Sequence, residues 1–557
     1  MDLDWKAPGG GLWELETTHV QGGQPRIFQE RAPRASADGF RGASARYGLP
    51  IDNLELRFVN DHCYARMCPV GAPEPKPGKP SSSPPAAALW LLTRLHPELR
   101  RRAKSARRAI EQKVWHEDRR RWEQQDRAAM LAANRALQSE DFDHLDDDGL
   151  ADHVRRAAAN MAHGIATHMA LIPVQDVTVG RLLLACRAWG LADAETIALL
   201  GGSSPASMAS AAGLAAIAHR CRDAGVEPAT LDDVRAAGPE AAAALDHYLA
   251  DHGWRPVTQY SPRGVCLVEL PDLLVEAIRS AAADPEPPRP IDPAPLRARV
   301  PESDRARFDD LLADARECFG VRDDNVALTF LWPCGLVRRA LFEAGRRLAA
   351  RGLLREDWHV FGLGEDEVVA ALGGDGTLAE VAAARAELGM AAEAEGAPLQ
   401  LGDDEGPPPD PGLFPAAMAE LVRSIMVGFE LEQAMLGAPK EVAAWTGDGI
   451  GIGSTSYTGR ACVVASADDA LDRLRAGDVL VTTLTTPTFE AIMPIAGAVV
   501  TEFGGLVGHT AIVCREYGIP AVVGVASATT HIVDGAPLTV DPSTGRVLID
   551  IASAANP

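Results

Sequence analysis

The chain has 557 residues, which is too many for one hydrophobic core, so we expect two to four domains. Its 46% hydrophobic and 24% charged residues are typical of a globular protein in water. The net charge of −23 excludes nucleic acid or an anionic membrane as the main partner, because phosphate groups require clustered Lys and Arg. We interpret the one basic run, Arg94–Arg121, as the solvated face of a helix rather than an RNA or phosphate patch.

The first residues lack the basic-then-apolar pattern of a signal peptide, and no apolar run approaches the roughly 20 residues that span a bilayer. The nine cysteines are scattered and odd in number, so we expect free thiols in a reducing cytoplasm. His62, Cys63 and Cys68 lack a second ligand pair at suitable spacing, which favours packing or surface thiols and predicts no metal site.

The predicted elements begin with strands and continue into helices. Within residues 1–70, the alternating stretch Leu54–Val59 is predicted to pair with Cys63–Met67. Residues 71–88 are rich in Pro and Ser, which predicts a disordered loop. Residues 89–435 are predicted to form a helical domain, because apolar residues recur every three or four positions. The clearest helical stretches are Ala151–Ala170, Val179–Leu200, Ser204–Ala224, Arg305–Phe319 and Gly335–Ala350.

Residues 436–557 have a different sequence pattern, in which short β-branched runs alternate with short predicted helices. The predicted strands are Ala461–Ala465, Val479–Thr483, Ala498–Thr501, Ala521–Gly524 and Pro537–Val540, and the predicted helices are Ala467–Leu474 and Thr510–Tyr517. Such alternation indicates a compact α/β domain. The expected fold class is therefore multidomain α plus α/β, with a largely α-helical body and a small C-terminal α/β domain.

The segment Gly504–Val525 contains the residue best suited to chemistry. His509 is predicted to lie at the start of a helix, after a turn opened by three glycines, Gly504, Gly505 and Gly508. The positive end of the helix dipole disfavours imidazolium, which keeps a nitrogen lone pair available, and offers N–H groups to a phosphoryl dianion. The residues alone leave open whether His509 is a phosphorylated nucleophile or a turn histidine with satisfied hydrogen bonds.

This segment resembles the mobile phosphohistidine domain of the phosphoenolpyruvate-utilising enzymes. The matching residues are Gly504, Gly505, His509, Ala511, Ile512, Val513, Arg515, Glu516, Gly518, Ile519, Pro520, Ala521, Val522, Val523 and Gly524. Two positions depart from the family pattern: Gly508 replaces a hydroxyl residue and Thr510 replaces alanine. Thr510 could supply a hydroxyl from the other side of the histidine, or simply cap the helix. We expect Arg515 and Glu516 to be structural.

The resemblance implies that His509 takes up a phosphoryl group at one site and gives it up at another, with the C-terminal domain swivelling between them. We expect a hinge between Glu430 and Thr446. Neither an ATP-grasp module nor a phosphoenolpyruvate-binding barrel is recognisable in the sequence. A separate ATP-grasp subunit, of the pyruvate phosphate dikinase nucleotide-binding type, is therefore the expected partner. ATP and Mg²⁺ would act on that partner, and this chain would bind neither tightly.

The helical body resembles the substrate domain of rifampin phosphotransferase and of the aryl phosphate synthases that phosphorylate phenol and cresol. Short motifs occur in the same order, among them those around His19, Arg255, Arg316 and Arg322. Phosphoryl transfer to a hydroxyl requires cations around the moving group and a base or positioner for the hydroxyl. The resemblance makes these four residues candidates for those roles. The arginines are equally compatible with surface or interdomain salt bridges.

Three functions remain open at this point. The first is the phosphohistidine-bearing, acceptor-binding subunit of an aryl phosphate synthase, acting on a small hydroxylated aromatic compound. The second is a rifampin-type antibiotic phosphotransferase split into two chains, and the third is a carrier or regulatory protein that catalyses nothing. The small residues of 199–215 are compatible with a pocket for a flat acceptor or, alternatively, with close helix packing.

Overall fold

The computed structural model describes residues 3–549 except 17–19, 21, 77–83, 202, 204, 282–290, 404–407, 437–446, 486 and 505–508. The chain forms two compact units. Unit 1 comprises residues 1–177, 259–264 and 325–425, and unit 2 comprises residues 178–258, 265–324 and 426–557. Unit 2 thus joins the C-terminal α/β domain to part of the helical body, an association that the sequence did not predict.

Most described residues are helical, as expected. The α-helices in chain order are α1 (Arg26–Tyr47), α2 (Ala86–Leu95), α3 (Pro97–Gln112), α4 (Val114–Arg121), α5 (Arg127–Gln138), α6 (Asp147–Ala188), α7 (Asp193–Ala198), α8 (Pro205–Asp223), α9 (Leu231–Ala236), α10 (Pro239–His252), α11 (Pro271–Ser280), α12 (Ala294–Arg299), α13 (Arg305–Phe319), α14 (Val321–Asn325), α15 (Trp332–Ala350), α16 (Glu365–Leu372), α17 (Ala379–Glu395), α18 (Ala416–Leu436), α19 (Ala467–Arg473), α20 (His509–Tyr517) and α21 (Ala528–His531).

The strands form one sheet in each unit. They are β1 (Leu12–Leu15), β2 (Ile51–Val59), β3 (His62–Pro69), β4 (Gln400–Gly402), β5 (Ile450–Ile452), β6 (Tyr457–Val464), β7 (Val479–Thr482), β8 (Ala498–Thr501), β9 (Ala521–Val523), β10 (Pro537–Asp541) and β11 (Arg546–Ile549). Unit 1 holds the antiparallel sheet β2-β3-β1-β4, and unit 2 holds the seven-stranded sheet β11-β10-β6-β7-β8-β9-β5.

Unit 1 packs helices α1, α6, α15 and α17 around one apolar core, with the small sheet at its side. The predicted pairing of Leu54–Val59 with Cys63–Met67 is confirmed by β2 and β3, which meet through a tight turn at Asn60 and Asp61. Ala86–Ala88, which the sequence placed in the predicted loop, instead form the first turn of α2, so this part of the loop prediction is wrong. Pro85 precedes the first helical residue and has a non-helical ψ of 143°.

Helix α6 is the longest in the described part of the chain, at 42 residues. The sequence predicted two helices here, Ala151–Ala170 and Val179–Leu200, but the chain stays helical through Pro173 and then breaks before α7. An 18-residue window of α6 has a mean hydropathy of 1.5. By length and composition alone this helix could cross a membrane, whereas the sequence analysis expected no apolar run of that length. Within that window, 72% of the sequence is buried inside the protein, which is the pattern of a core helix.

In unit 2, the C-terminal α/β domain, residues 450–549, shares one core with helices α8, α10 and α11. Ile217, Leu245 and Leu274 from these helices belong to the same buried cluster as Met493 and Cys514. The second face of the sheet has its own cluster, which includes Val481, Val500 and Val540. The parallel strands β7, β8 and β9 are fully buried, which explains their continuous β-branched runs.

Gly213, in the small-residue stretch 199–215, allows close packing within unit 2. A side chain at Gly213 would place its Cβ 2.7 Å from a ring carbon of Tyr248 on α10, so only glycine allows this approach. Helix α8 also packs against α20. The described residues of this stretch therefore favour the packing interpretation over the acceptor pocket.

The close approach of α1 and α6 gives a direct test of the unit 1 core. A Cβ at Gly39 would lie 2.1 Å from the carbonyl oxygen of Ala166, whereas a Cβ at Gly42 on the same helix would meet nothing within 4 Å. We expect Gly39→Ala to destabilise the protein by about 1–3 kcal/mol through overpacking. Gly42→Ala is the matched control and should be neutral or stabilising by up to about 1 kcal/mol. Thermal and urea unfolding measure both, and equal effects of the two changes would contradict the packing.

Candidate functional site

The site lies at the carboxyl edge of the parallel strands in unit 2. Strands β7 and β8 run parallel in register, with Thr482 beside Thr501, so the segments that follow them leave the sheet at one edge. The segment after β7 carries Thr485, and the segment after β8 leads to α20. This edge is where open α/β sheets place ligands and reactive groups.

His509 is the first residue of α20. Its Nδ1 atom lies 3.0 Å from the hydroxyl oxygen of Thr485, and that hydroxyl oxygen lies 2.8 Å from the hydroxyl oxygen of Thr510. Thr485 and Thr510 are 6% and 3% exposed, so the two hydroxyls are shielded from water. The three residues form a short hydrogen-bonded chain that fixes the imidazole ring.

This geometry distinguishes the two nitrogens of His509. Nδ1 faces the hydroxyl of Thr485, so an electrophile cannot approach the Nδ1 lone pair along its axis. Nε2 is therefore the nitrogen suited to nucleophilic attack. Nε2 is itself buried in this arrangement, so a donor or an acceptor can reach it only after the site opens.

Backbone geometry supports the site on the sheet side. Gly504 has a φ of +139°, and a side chain there would bring its Cβ 3.1 Å from Cβ of Val523. Only glycine satisfies both conditions. Glu502, buried after β8, accepts a 2.8 Å hydrogen bond from the backbone N–H of Thr529 and so ties the strand to α21. The two other glycines predicted for the turn, Gly505 and Gly508, lie outside the described residues.

Two other residues of α20, Arg515 and Glu516, match the family pattern, and their expected structural role stays a prediction. Glu516 is 3% exposed, and burial lowers the pKa of Arg515. Cys514 on the same helix is fully packed in the shared core, where burial raises the pKa of its thiol.

Arg255, predicted to bind the phosphoryl group, lies near the other end of α20. Burial lowers its guanidinium pKa, and the neighbouring charges include Glu490 of the α/β domain. Tyr248, also close to Arg255, shares the hydroxyl of Ser210 with Tyr517, each at 3.1 Å. Tyr517 is the last residue of α20, so about 12 Å of helix separate this cluster from His509. The phosphoryl-binding role of Arg255 stays a prediction.

The other predicted residues are Arg316, Arg322 and His19. Arg316 donates hydrogen bonds to the backbone carbonyls of Leu199, at 2.8 Å, and Ile291, at 3.1 Å, which suits a role in joining α13 to neighbouring segments. Arg322 belongs to α14, but its side chain lies outside the described residues. His19 also lies outside them, as does most of the predicted hinge between Glu430 and Thr446. The catalytic roles of these residues stay predictions.

Thr485 is the site residue that sequence reasoning missed. A signal was present, because the threonine-rich run Thr482–Thr488 directly follows a buried parallel strand. Residues at the ends of adjacent parallel strands meet at one edge, so a hydroxyl there could have been paired with the helix start after β8.

Comparison with known proteins identifies the domain that carries this geometry. The profile of the family described as PEP-utilising enzyme, mobile domain, matches residues 474–545, which include Thr485, His509 and Thr510. This stretch of the chain belongs to that family. The match confirms the resemblance found in the sequence.

Relatives of known or suspected phosphotransfer function support the same family. The chain is 39% identical over 149 residues to phosphoenolpyruvate synthase of Aeropyrum pernix, covering 26% of this chain and 18% of that protein. It is 29% identical over 245 residues to the uncharacterized phosphotransferase YvkC of Bacillus subtilis, covering 44% and 27%. It is 42% identical over 101 residues to rifampicin phosphotransferase of Streptomyces sviceus, covering 18% and 11%.

These similarities are partial. The chain spans between 11% and 27% of the length of these three relatives. Among solved structures, an NMR solution structure of Enzyme I has a TM-score of 0.14 at 14% identity, over 45% of this chain and 66% of that one, and such a score carries no argument about the fold.

The hydrogen bond to Nδ1 gives a test of the site in the mobile domain. Thr485→Val removes the hydroxyl that holds the ring, and a hydrogen bond of about 1.4 kcal/mol corresponds to about tenfold in rate. We expect phosphorylation of His509 by phosphoramidate, a small chemical donor, to be about tenfold slower. Thr458→Val is the matched control, because the Thr458 hydroxyl pairs with that of Thr539 on the antiparallel side of the sheet, away from His509 in the strand order. Phosphopeptide analysis measures the rate, and a normal rate in Thr485→Val would contradict the positioning role.

Proposed function

We propose that this chain is the phosphohistidine-bearing, acceptor-binding subunit of an ATP-dependent phosphotransferase. His509 would take up a phosphoryl group and pass it to a hydroxyl of a phenolic or other aromatic compound, such as phenol or cresol. The observation that carries the proposal is the placement of His509: it begins α20 inside the matched mobile domain, with Nδ1 held by Thr485.

The proposed chemistry has two displacement steps. In the first, the lone pair of Nε2 attacks the phosphorus of the donor, an Nε2–P bond forms, and the donor's P–O bond breaks with its electron pair on the leaving oxygen. The ring proton remains on Nδ1. In the second step, the acceptor hydroxyl attacks the same phosphorus, the P–N bond breaks, and the hydroxyl proton passes to a base. The helix N-terminus at residue 509 favours the phosphoryl dianion through its N–H groups.

A separate ATP-grasp subunit is the proposed source of the phosphoryl group. This subunit would bind ATP and Mg²⁺, and this chain would bind neither tightly. The buried position of Nε2 supports a domain that moves, since both the donor and the acceptor need access to the same atom. We further propose that the protein acts in the cytoplasm, where its buried cysteines stay reduced.

The acceptor is proposed from the order of motifs along the helical body, which resembles that of the aryl phosphate synthases. The rifampin-type alternative has a specific observation in its favour, the similarity to rifampicin phosphotransferase. That similarity covers only 18% of this chain. It therefore supports a phosphotransferase function but gives little support to rifampin as the acceptor.

The central test is the replacement of His509. His509→Ala should abolish both the acid-labile phosphoryl label on the protein and the formation of aryl phosphate. The matched control is His531→Ala, an exposed histidine of the same domain whose loss should leave both unchanged. The chain is loaded with phosphoramidate or with the partner and ATP, and phenol, para-cresol or rifampin is then added. Turnover that persists in His509→Ala would contradict the proposal, and a label that no acceptor removes would favour the carrier protein.

The two-subunit arrangement predicts that the purified chain does not bind nucleotide. Isothermal titration calorimetry with Mg·ATP should give no heat of specific binding, because no phosphate-cradling module is recognisable in the sequence. The positive control is the same titration on the ATP-grasp subunit. Tight binding of Mg·ATP by this chain alone would overturn the need for a separate subunit.

A further inference from the structure

The chain of hydroxyls beside His509 continues beyond the first hydrogen bond. The Thr485 hydroxyl contacts the ring at 3.0 Å, and the Thr510 hydroxyl contacts that of Thr485 at 2.8 Å. Thr510 replaces an alanine of the family pattern, and Gly508 takes the place of the usual hydroxyl residue. This protein therefore has a buried hydroxyl at an unusual position, one step removed from the histidine.

The direction in which each hydroxyl donates its proton determines which ring nitrogen of His509 carries a lone pair. A threonine hydroxyl has one proton to donate and two lone pairs to accept with. If Thr485 donates its proton to Nδ1, the ring proton must sit on Nε2, and Nε2 then has no lone pair in the ring plane for attack. If Thr485 instead accepts from Nδ1–H, Nε2 carries the lone pair.

Thr510 is placed to decide between these two states. The two hydroxyl oxygens lie 2.8 Å apart, so either group can donate to the other, in a pocket where both side chains are buried and water does not compete. When Thr485 donates to Thr510, its lone pairs are left for Nδ1–H at 3.0 Å. The neutral imidazole side chain in water prefers its proton on Nε2, so the protein has to reverse this preference for Nε2 to act as nucleophile.

We propose that Thr510 is a positioning residue that sets the tautomer of His509 through Thr485, keeping the ring proton on Nδ1 and the lone pair on Nε2. This inference rests on the proposed function, because it assumes that Nε2 of His509 accepts the phosphoryl group.

The first test observes the tautomer itself and requires no phosphoryl transfer. The protein is labelled with ¹⁵N-histidine, and the signals of His509 are identified by their absence in His509→Ala. We expect the Nδ1–H tautomer to dominate in the original protein and to lose its dominance in Thr510→Val, which keeps the shape of the side chain but removes its oxygen. Thr510→Ser restores the hydroxyl and should restore the tautomer. A tautomer unchanged in Thr510→Val would overturn the proposal.

The second test measures the consequence for phosphorylation. With phosphoramidate as the donor, ³¹P NMR and phosphopeptide analysis should show the original protein phosphorylated on Nε2. Thr510→Val should react at least tenfold more slowly, and Thr510→Ser should recover most of the rate. Thr510→Val keeps the side-chain shape and Thr510→Ser removes one methyl group, and unfolding measurements on both variants would recognise a loss of folding. Phosphorylation of the original protein on Nδ1, or equal rates in all three proteins, would overturn the proposal.

The two tests separate the failure of this inference from the failure of the proposed function. If His509 takes up no phosphoryl group in the original protein from either phosphoramidate or the partner with ATP, the proposed function fails. If His509 is phosphorylated normally and Thr510→Val changes neither tautomer nor rate, the proposed function stands and the role of Thr510 fails.

Discussion

The hydrogen bond between Thr485 and Nδ1 of His509 is the contact on which the proposed phosphoryl transfer depends. An imidazole ring that is free to rotate presents either nitrogen to a donor, whereas a ring held at Nδ1 presents only Nε2. That contact joins two segments that are 24 residues apart in sequence. The parallel register of β7 and β8 brings them together, because it sends both segments out of the sheet at the same edge. The buried β-branched strands thus serve the site by fixing where two loops begin.

The second constraint is the core that the α/β domain shares with α8, α10 and α11. A domain that delivers a phosphoryl group to two places has to leave one of them, and leaving exposes apolar surface at a cost of about 25 cal/mol per Å². The shared core and the hydroxyl network of Ser210, Tyr248 and Tyr517 therefore hold this arrangement in place. In the proposed mechanism, either these contacts break during phosphoryl transfer, or helices α8, α10 and α11 move together with the α/β domain. The second possibility would place the moving boundary at the edges of unit 2 rather than near residue 436.

The sequence allowed prediction of those features that depend on neighbouring residues. The start of α20 at His509, the alternation of strands and helices after residue 450, and the pairing of β2 with β3 all follow from local periodicity and turn residues. Features that depend on distant contacts were not predictable. Tyr517 and Ser210 are 307 residues apart, and nothing near either residue identifies the other as its partner. Helix α6 illustrates the same limit, because its continuity through Pro173 depends on burial by the surrounding helices.

Burial of Nε2 links the chemistry to motion. A phosphohistidine is an energetic intermediate that water can hydrolyse, so a site that shields its nucleophile between transfers protects the bound group. The same shielding prevents a donor or an acceptor from reaching Nε2 while the site is closed. The hydrogen-bonded chain through Thr485 and Thr510 lies on strand-end and helix-start segments of the same domain, so it travels with the histidine when the site opens. In the proposed mechanism, the ring therefore reaches the donor and the acceptor with Nε2 as the reactive nitrogen, and the surroundings of each need to supply only the reaction partner and the charges around the phosphoryl group.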